Sequence, residues 1–139
     1  MRKNWHDYFM EMAVLVSERA TCERLHVVAV IVKDNRIIAT GYNGSVSGME
    51  HCSESGCDVV DNHCIRTLHA EVNAILQCAK YGISTDGASI YVTHFPCQNC
   101  AKNIAQVGIK HVYYKHGYNN DYRTEKLFNQ LGITCTKVS

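Results

Sequence analysis

The chain has 139 residues, of which 46% are hydrophobic and 19% charged, and its formal net charge is +1. This length and composition predict a single globular domain, residues 1–139, with a substantial core. A near-neutral charge gives no reason to expect a polynucleotide partner. No run of about 18 apolar residues predicts a membrane span, and the N-terminal segment MRKNWHDYFM lacks the apolar stretch of a signal peptide. We therefore expect a cytoplasmic protein.

The sequence contains eight cysteines and eight histidines, which is many for a chain of this length. In a secreted protein, cysteines in this number would predict disulfides, but a reducing compartment keeps thiols free. Clustered cysteines and histidines in such a compartment favour metal binding over disulfides.

The first half of the chain predicts a helix followed by a hairpin. Apolar residues recur with helical spacing from Trp5 to Val16, and Asn4 is a suitable N-cap. The segments HVVAVIV (26–32) and IIATGY (37–42) predict two strands joined by the turn KDNR. Residues 43–67 show little periodicity and are rich in glycine, serine, cysteine and histidine. An irregular segment of this length needs something to hold it in place.

The second half alternates between helical and strand periodicity. The segments are HAEVNAILQCAKYG (69–82, helix), ASIYVTHF (88–95, strand), CQNCAKNIAQVG (97–108, helix), KHVYYK (110–115, strand), a last helix near 121–131 and the short strand ITCTKV (133–138). Helix, hairpin and then alternating helices and strands predict an α/β fold in three layers around one sheet.

The residues that predict metal binding and catalysis lie at two predicted helix starts. They are HAE, which begins at His69, and PCQNC, which ends at Cys100. His69, Cys97 and Cys100 would supply one nitrogen and two thiolates, and three protein ligands with an open fourth position are typical of catalytic zinc. The N-terminus of a helix favours negative charge and therefore thiolates. Glu71 does not share a helical ridge with His69, but it can reach the water that the zinc activates.

The combined pattern H-x-E…P-C-x-x-C is the signature of zinc-dependent nucleobase deaminases, in which the glutamate is the general acid and base. The C-x-x-C pair alone is also typical of a redox couple or of half a zinc ribbon. A redox couple would leave His69 and Glu71 without a role. A ribbon needs a second C-x-x-C pair, and Cys52 and Cys57 have the wrong spacing.

Three segments resemble the phage and bacterial deoxycytidylate (dCMP) deaminases: GYNGS from Gly41, HAEVNAI from His69 and YVTHFPCQNCAK from Tyr91. The resemblance extends over nearly the whole chain. It implies a cytidine-deaminase-like three-layer α/β/α sandwich with a mixed five-stranded sheet, and Zn²⁺-dependent hydrolysis of dCMP to dUMP and ammonia. It also implies a homo-oligomer, often a hexamer, that dCTP with Mg²⁺ activates and dTTP inhibits.

The same resemblance assigns roles to individual residues. It implies that His69, Cys97 and Cys100 ligate zinc, that Glu71 transfers protons, and that the substrate contacts Asn43, Ala70 and Tyr118. Taken alone, Asn43 is also explained as a left-handed turn residue before Gly44, and Tyr118 as an ordinary surface tyrosine. A candidate allosteric nucleotide site comprises Arg24, Gly41, Tyr42, Asn43 and Gly44.

A second group of cysteines lies in or near the irregular segment: Cys22, Cys52, Cys57 and Cys64. Four ligands would form a closed structural zinc site, which would hold a loop that has little core of its own. The resemblance supports a second zinc here. His63 can replace Cys64, since adjacent residues rarely both ligate, and free buried thiols are the alternative. Arg24 and Arg66 are candidate phosphate contacts, each equally well explained as a surface ion-pair partner.

Three other functions stay open at this point. The zinc motif identifies only the superfamily, so another free nucleoside or nucleotide could be the substrate. A deaminase of polynucleotides usually carries a basic track, and a net charge of +1 gives no indication of one. A non-catalytic, zinc-stabilised domain of the same fold would have no use for Glu71.

Overall fold

The computed structural model describes residues 2–19, 26–50, 67–117 and 120–138, and the backbone alone at 59–60 and 63–64. The elements in chain order are α1 (Trp5–Val16), a 3-10 turn (Ser17–Arg19), β1 (Val28–Lys33), β2 (Arg36–Tyr42), β3 (Gly44–Ser45), β4 (Val59–Val60), β5 (His63–Cys64), β6 (Thr67–Leu68), α2 (Ala70–Lys80), β7 (Ser89–His94), α3 (Gln98–Gln106), β8 (His111–His116), α4 (Tyr122–Leu131) and β9 (Thr134–Lys137). None of the helices described is long and apolar enough to cross a bilayer.

Five strands form one mixed sheet in the order β2-β1-β7-β8-β9. Strand β1 is antiparallel to both β2 and β7, while β7, β8 and β9 run parallel to one another. The predicted hairpin turns at Asp34 and Asn35, which both have positive φ (52° and 58°). Two consecutive residues of this conformation match the twist of antiparallel strands.

The sheet is covered on both faces, which gives the predicted three layers. On one face, Ala74 of α2, Ile104 of α3 and Phe128 of α4 belong to a single apolar cluster that also contains strand residues. On the other face, α1 contributes Phe9 and Met10 to a second cluster. Strand β1 is therefore buried on both sides, which explains its apolar run without alternation. The predicted α/β sandwich with a mixed five-stranded sheet is confirmed.

Helices α2 and α3, at which the zinc ligands are predicted, each begin one residue later than the sequence predicts. His69 and Cys97 are not the first helical residues but the N-caps of α2 and α3, and both have extended backbone. Their carbonyls accept the first helical hydrogen bonds, from Asn73 N and Ala101 N, each at 2.9 Å. An N-cap residue belongs to the helix only through its carbonyl. Neither His69 nor Cys97 uses its side chain as a cap.

The sequence predicts no regular structure for residues 43–67, but the described part of this segment contains short strands. An antiparallel pair of two-residue strands, β3 and β6, closes the segment, and β4 pairs with β5 inside it. Strands of two residues are too short to leave a periodic pattern in the sequence.

Gly41 brings β2 into direct contact with α2. A Cβ atom at this position would lie 2.5 Å from Ala74 N and 2.6 Å from Ala70 O. Both are backbone atoms, so α2 would have to shift. We expect Gly41→Ala to lower the free energy of unfolding by about 1–3 kcal/mol. In urea unfolding, the variant should have a lower midpoint concentration and an unchanged slope of free energy against urea. The control is Thr40→Ala, which changes an exposed neighbouring residue on β2. An unchanged midpoint for Gly41→Ala would contradict the close contact.

Candidate functional site

The predicted zinc ligands converge at the N-termini of two helices. His69 precedes α2, while Cys97 precedes α3 and Cys100 lies in its first turn. His69 Nδ1 lies 3.2 Å from Cys100 Sγ and 3.6 Å from Cys97 Sγ. The ligand atoms of all three side chains lie within 4.8 Å of one another. Cys100 is buried, with 1% of its surface exposed.

This group of donors fits a zinc ion. Tetrahedral zinc with ordinary bond lengths places an imidazole nitrogen and a thiolate sulfur about 3.6 Å apart. The two nitrogen–sulfur distances, 3.2 and 3.6 Å, are close to that separation. One imidazole and two thiols are the donor types that zinc prefers, and three protein ligands leave its fourth position open.

The two thiols of the site are electrostatically different. Hydrogen bonds from Cys100 and then from His69 lower the pKa of Cys97 to about 4, against the effect of burial. The hydrogen bond with Cys97 and burial raise the pKa of Cys100 well above its ordinary value. The hydrogen bond with Cys97 also raises the pKa of His69. Cys97 is therefore a thiolate at neutral pH, while Cys100 gives up its proton when a metal binds.

Glu71 lies directly beside these ligands. It is in the first turn of α2, only 4% of its surface is exposed, and its carboxylate helps to raise the pKa of the Cys100 thiol. Burial raises its pKa. A buried carboxyl group with a raised pKa next to a metal site is typical of residues that transfer protons.

The GYN segment holds the start of α2 in place. Asn43 Oδ1 accepts a hydrogen bond from Val27 N (2.8 Å), and Asn43 N donates to Val27 O (3.1 Å). Asn73 Nδ2 of α2 donates to Tyr42 O (3.0 Å). Among the described non-glycine residues, positive φ occurs at Asp34 and Asn35, so the left-handed turn interpretation of Asn43 is wrong.

The other residues of the predicted substrate and allosteric sites are only partly described. Ala70 is 1% exposed and packs in the core. Gly44 lies against the ring of Tyr42: a Cβ atom added to Gly44 would be 3.1 Å from Cε2 of that ring. Arg24, Arg66 and Tyr118 lie outside the described residues.

The proposed second zinc site also falls outside the described side chains. Cys22, Cys52 and Cys57 are not described, and Cys64 and His63 lie in β5, of which only the backbone is. Of the described cysteines without a predicted role, Cys78 and Cys135, neither belongs to the metal-binding group.

A cavity of about 330 Å³ opens beside Cys97, and sequence reasoning did not predict it. Its lining includes His94, Phe95, Cys97, His116, Asn120 and Asp121. The two histidines could have been recognised from their positions, because each is the last residue of a strand and the two strands are neighbours in the sheet. That signal requires the strand order, which local patterns do not provide.

Comparisons with known proteins bear on this site. Residues 3–116 match the family model described as the cytidine and deoxycytidylate deaminase zinc-binding region. The chain is 53% identical over 137 residues to ComE operon protein 2 of Bacillus subtilis, covering 99% of this chain and 72% of that protein. It is 38% identical over 141 residues to the deoxycytidylate deaminase of Schizosaccharomyces pombe, covering 95% of this chain but only 43% of the yeast protein.

A solved structure is similar over the full length. The dCMP deaminase from the cyanophage S-TIM5, in complex with dCMP and dUMP, aligns with a TM-score of 0.86 and 36% identity. The alignment covers 99% of each chain. The similarity therefore includes the sheet, its helices and both helix starts that carry the ligands.

Proposed function

The chain belongs to the cytidine and deoxycytidylate deaminase family, and we propose that it hydrolyses dCMP to dUMP and ammonia. The observation that carries this proposal is the buried Glu71 carboxylate beside the His69–Cys97–Cys100 group, where it helps to raise the pKa of Cys100. The similarity to a cyanophage dCMP deaminase solved with dCMP and dUMP supports the choice of substrate. Glu71 also argues against a purely structural zinc domain, because burying a carboxylate away from solvent is costly without a function for it.

The proposed roles of the residues follow from their positions. His69, Cys97 and Cys100 hold the zinc ion, which when bound activates a water for attack at neutral pH. Glu71 would accept one proton from a water and pass it to N3 as the water oxygen bonds to C4 of the cytosine. It would then take the second proton from the hydroxyl formed at C4 and deliver it to the amino group, so that the C4–N bond breaks, the C4 carbonyl forms and ammonia leaves. Asn43, Ala70 and Tyr118 are the proposed substrate contacts.

We also propose a second, structural zinc ion held by Cys22, Cys52, Cys57 and either Cys64 or His63. The cysteine cluster of the sequence supports this, and the described pieces of the loop between β3 and β6 include one pair of two-residue strands, β4 and β5. A metal ion stabilises such a loop without a core. Regulation by dCTP with Mg²⁺ and by dTTP, at a site that includes Arg24 and the residues Gly41 to Gly44, is proposed from the family resemblance. A homohexamer is proposed on the same ground.

The substrate is tested by measuring ammonia release from dCMP, dCTP, deoxycytidine and single-stranded DNA with the zinc-loaded protein. We expect dCMP to be turned over with the highest kcat/KM, and its turnover to rise with dCTP and fall with dTTP. Equal efficiency with deoxycytidine would contradict a nucleotide-specific enzyme. Turnover of none of the four substrates would favour a non-catalytic domain.

A further inference from the structure

The link between β7 and α3 leads to the ligand Cys97, and it leaves the sheet at Pro96. One residue earlier, Phe95 N still donates to His116 O (2.9 Å), which continues the backbone hydrogen bonds of the sheet by one step. Pro96 ends this series because proline has no N–H group. Pro96 is fully buried, so its carbonyl oxygen needs a donor from another part of the chain.

That donor is the hydroxyl group of Thr124, a residue of α4. Thr124 Oγ1 donates to Pro96 O at 3.2 Å, and Thr124 is 0% exposed. A helical threonine commonly bonds to a carbonyl of the preceding turn of its own helix, whereas this one bonds to a different segment. The hydroxyl of Thr124 therefore links the first turn of α4 to the start of α3.

The first turn of α4 is itself held in place by its N-cap. Asp121 Oδ1 accepts a hydrogen bond from Arg123 N (2.9 Å), and Asp121 O accepts one from Thr124 N (3.1 Å). One turn further along α4, Phe128 belongs to the same core cluster as Ala101 of α3. The hydroxyl of Thr124 is therefore presented to Pro96 from a fixed position.

We propose that Thr124 is a positioning residue for Cys97 in zinc binding. This inference rests on the zinc site of the proposed function. The oxygen of Pro96 lies in one plane with the N and Cα atoms of Cys97, because the peptide bond is planar. A hydrogen bond to that oxygen fixes the plane, and with it the direction in which the thiolate of Cys97 leaves the backbone. Its Sγ lies 3.6 Å from His69 Nδ1, where both can ligate one metal ion.

Cys97 needs this support more than the other thiol ligand does. Cys100 lies within α3, where helical hydrogen bonds fix its backbone, and it is 1% exposed. Cys97 is the N-cap of the same helix, and an N-cap residue belongs to its helix only through its carbonyl. The peptide that precedes Cys97 is therefore free of helical hydrogen bonds, and the bond from Thr124 is what orients it.

The test removes the hydroxyl of Thr124 and measures zinc affinity by competition with a chelator, for the zinc ion that Cys100→Ser removes. Valine has nearly the shape of threonine, so Thr124→Val preserves the packing but leaves the buried Pro96 carbonyl without a partner, which is costly. The peptide should turn towards another donor and carry Cys97 with it. We expect the zinc dissociation constant to rise by about 10- to 100-fold, the usual effect of losing a group that orients a metal ligand.

Thr124→Ser separates the hydrogen bond from the packing. Serine keeps the hydroxyl and loses a buried methyl group, so this variant should unfold at a lower urea concentration than the parent and yet bind zinc as tightly. The matched control is Thr85→Val. Thr85 Oγ1 donates to Val107 O (2.8 Å) at the other end of α3, so the same kind of bond is lost far from Cys97, and zinc affinity should stay unchanged.

Other results would overturn the inference. Unchanged zinc affinity in Thr124→Val would mean that the hydroxyl does not orient the ligand. An equal loss in Thr124→Ser would assign the effect to packing, and an equal loss in Thr85→Val would assign it to general destabilisation. If Thr124→Val does not fold, Thr124→Ala replaces it, because alanine and serine differ only in the hydroxyl. Equal zinc affinity in the alanine and serine variants would then refute the role of Thr124.

The same measurements distinguish a failure of this inference from a failure of the proposed function. If the parent protein holds no zinc ion that Cys100→Ser removes, the zinc site of the proposed function is wrong, and the inference falls with it. If the parent holds such an ion and Thr124→Val binds it equally tightly, only the positioning role of Thr124 fails.

Discussion

Replacing Glu71 with glutamine will leave zinc bound and lower kcat for dCMP by about 100- to 10,000-fold, the usual contribution of a general acid and base. Glutamine has nearly the shape of glutamate, so the packing around this residue, which is only 4% exposed, is preserved. Its amide cannot accept a proton from water or return one to the pyrimidine ring. The measurement is steady-state ammonia release, with zinc content determined on the same sample.

The matched control is Glu125→Gln. Glu125 is an exposed glutamate of α4, so the substitution makes the same chemical change away from the metal-binding group and should leave kcat unchanged. Retention of more than about a tenth of the parent kcat by Glu71→Gln would be incompatible with Glu71 as the proton-transfer residue. Loss of zinc from Glu71→Gln would instead indicate that the Glu71 carboxylate contributes to zinc binding.

Replacing Cys100 with serine will remove one zinc ion from each chain and lower kcat/KM by at least about a thousandfold, since metal activation of water supplies several kcal/mol. Serine is a poor zinc ligand because its hydroxyl does not ionise at neutral pH, whereas a thiolate does. Cys100 is buried, and its Sγ lies 3.2 Å from His69 Nδ1. Metal analysis of the purified protein measures the loss.

Cys78→Ala provides the control, because Cys78 is equally buried, with 1% exposure, but belongs to α2 and packs in the core. That variant should keep its full metal content. The same analysis tests the second zinc site. Two zinc ions per parent chain and one per Cys100→Ser chain would support that site, whereas one per parent chain and none per Cys100→Ser chain would rule it out. A Cys100→Ser protein with undiminished zinc content and turnover would overturn the assignment of the catalytic ligands.

The metal-binding group could be predicted because its members are local in the sequence. His69 and Glu71 open one helix, Cys97 and Cys100 open the next, and each pair has a spacing that local chemistry explains. The prediction that these two helix starts meet follows once the elements alternate in an α/β fold. The family resemblance noted from three segments is confirmed by the match of residues 3–116.

The features that could not be predicted depend on contacts between distant parts of the chain. His94 and His116 become neighbours only through the parallel register of β7 and β8. A glycine in a strand suggests a close approach of another backbone, but that the partners of Gly41 are Ala70 and Ala74 depends on how β2 meets α2. The local alternative for Asn43 was a left-handed turn, but its Oδ1 accepts a hydrogen bond from Val27 N, which is distant in the sequence. In each case tertiary structure decides the role of the residue.

The unused caps of α2 and α3 limit how this protein can be made more thermostable. A side chain that caps a helix contributes about 0.5–2 kcal/mol, and α1 and α4 already obtain this from Asn4 and Asp121. At His69 and Cys97, the first helical N–H groups receive no such bond. Aspartate or serine at either position would be an improvement by every rule of helix design. It would also remove a predicted zinc ligand, so engineers should leave these two helix starts unoptimised.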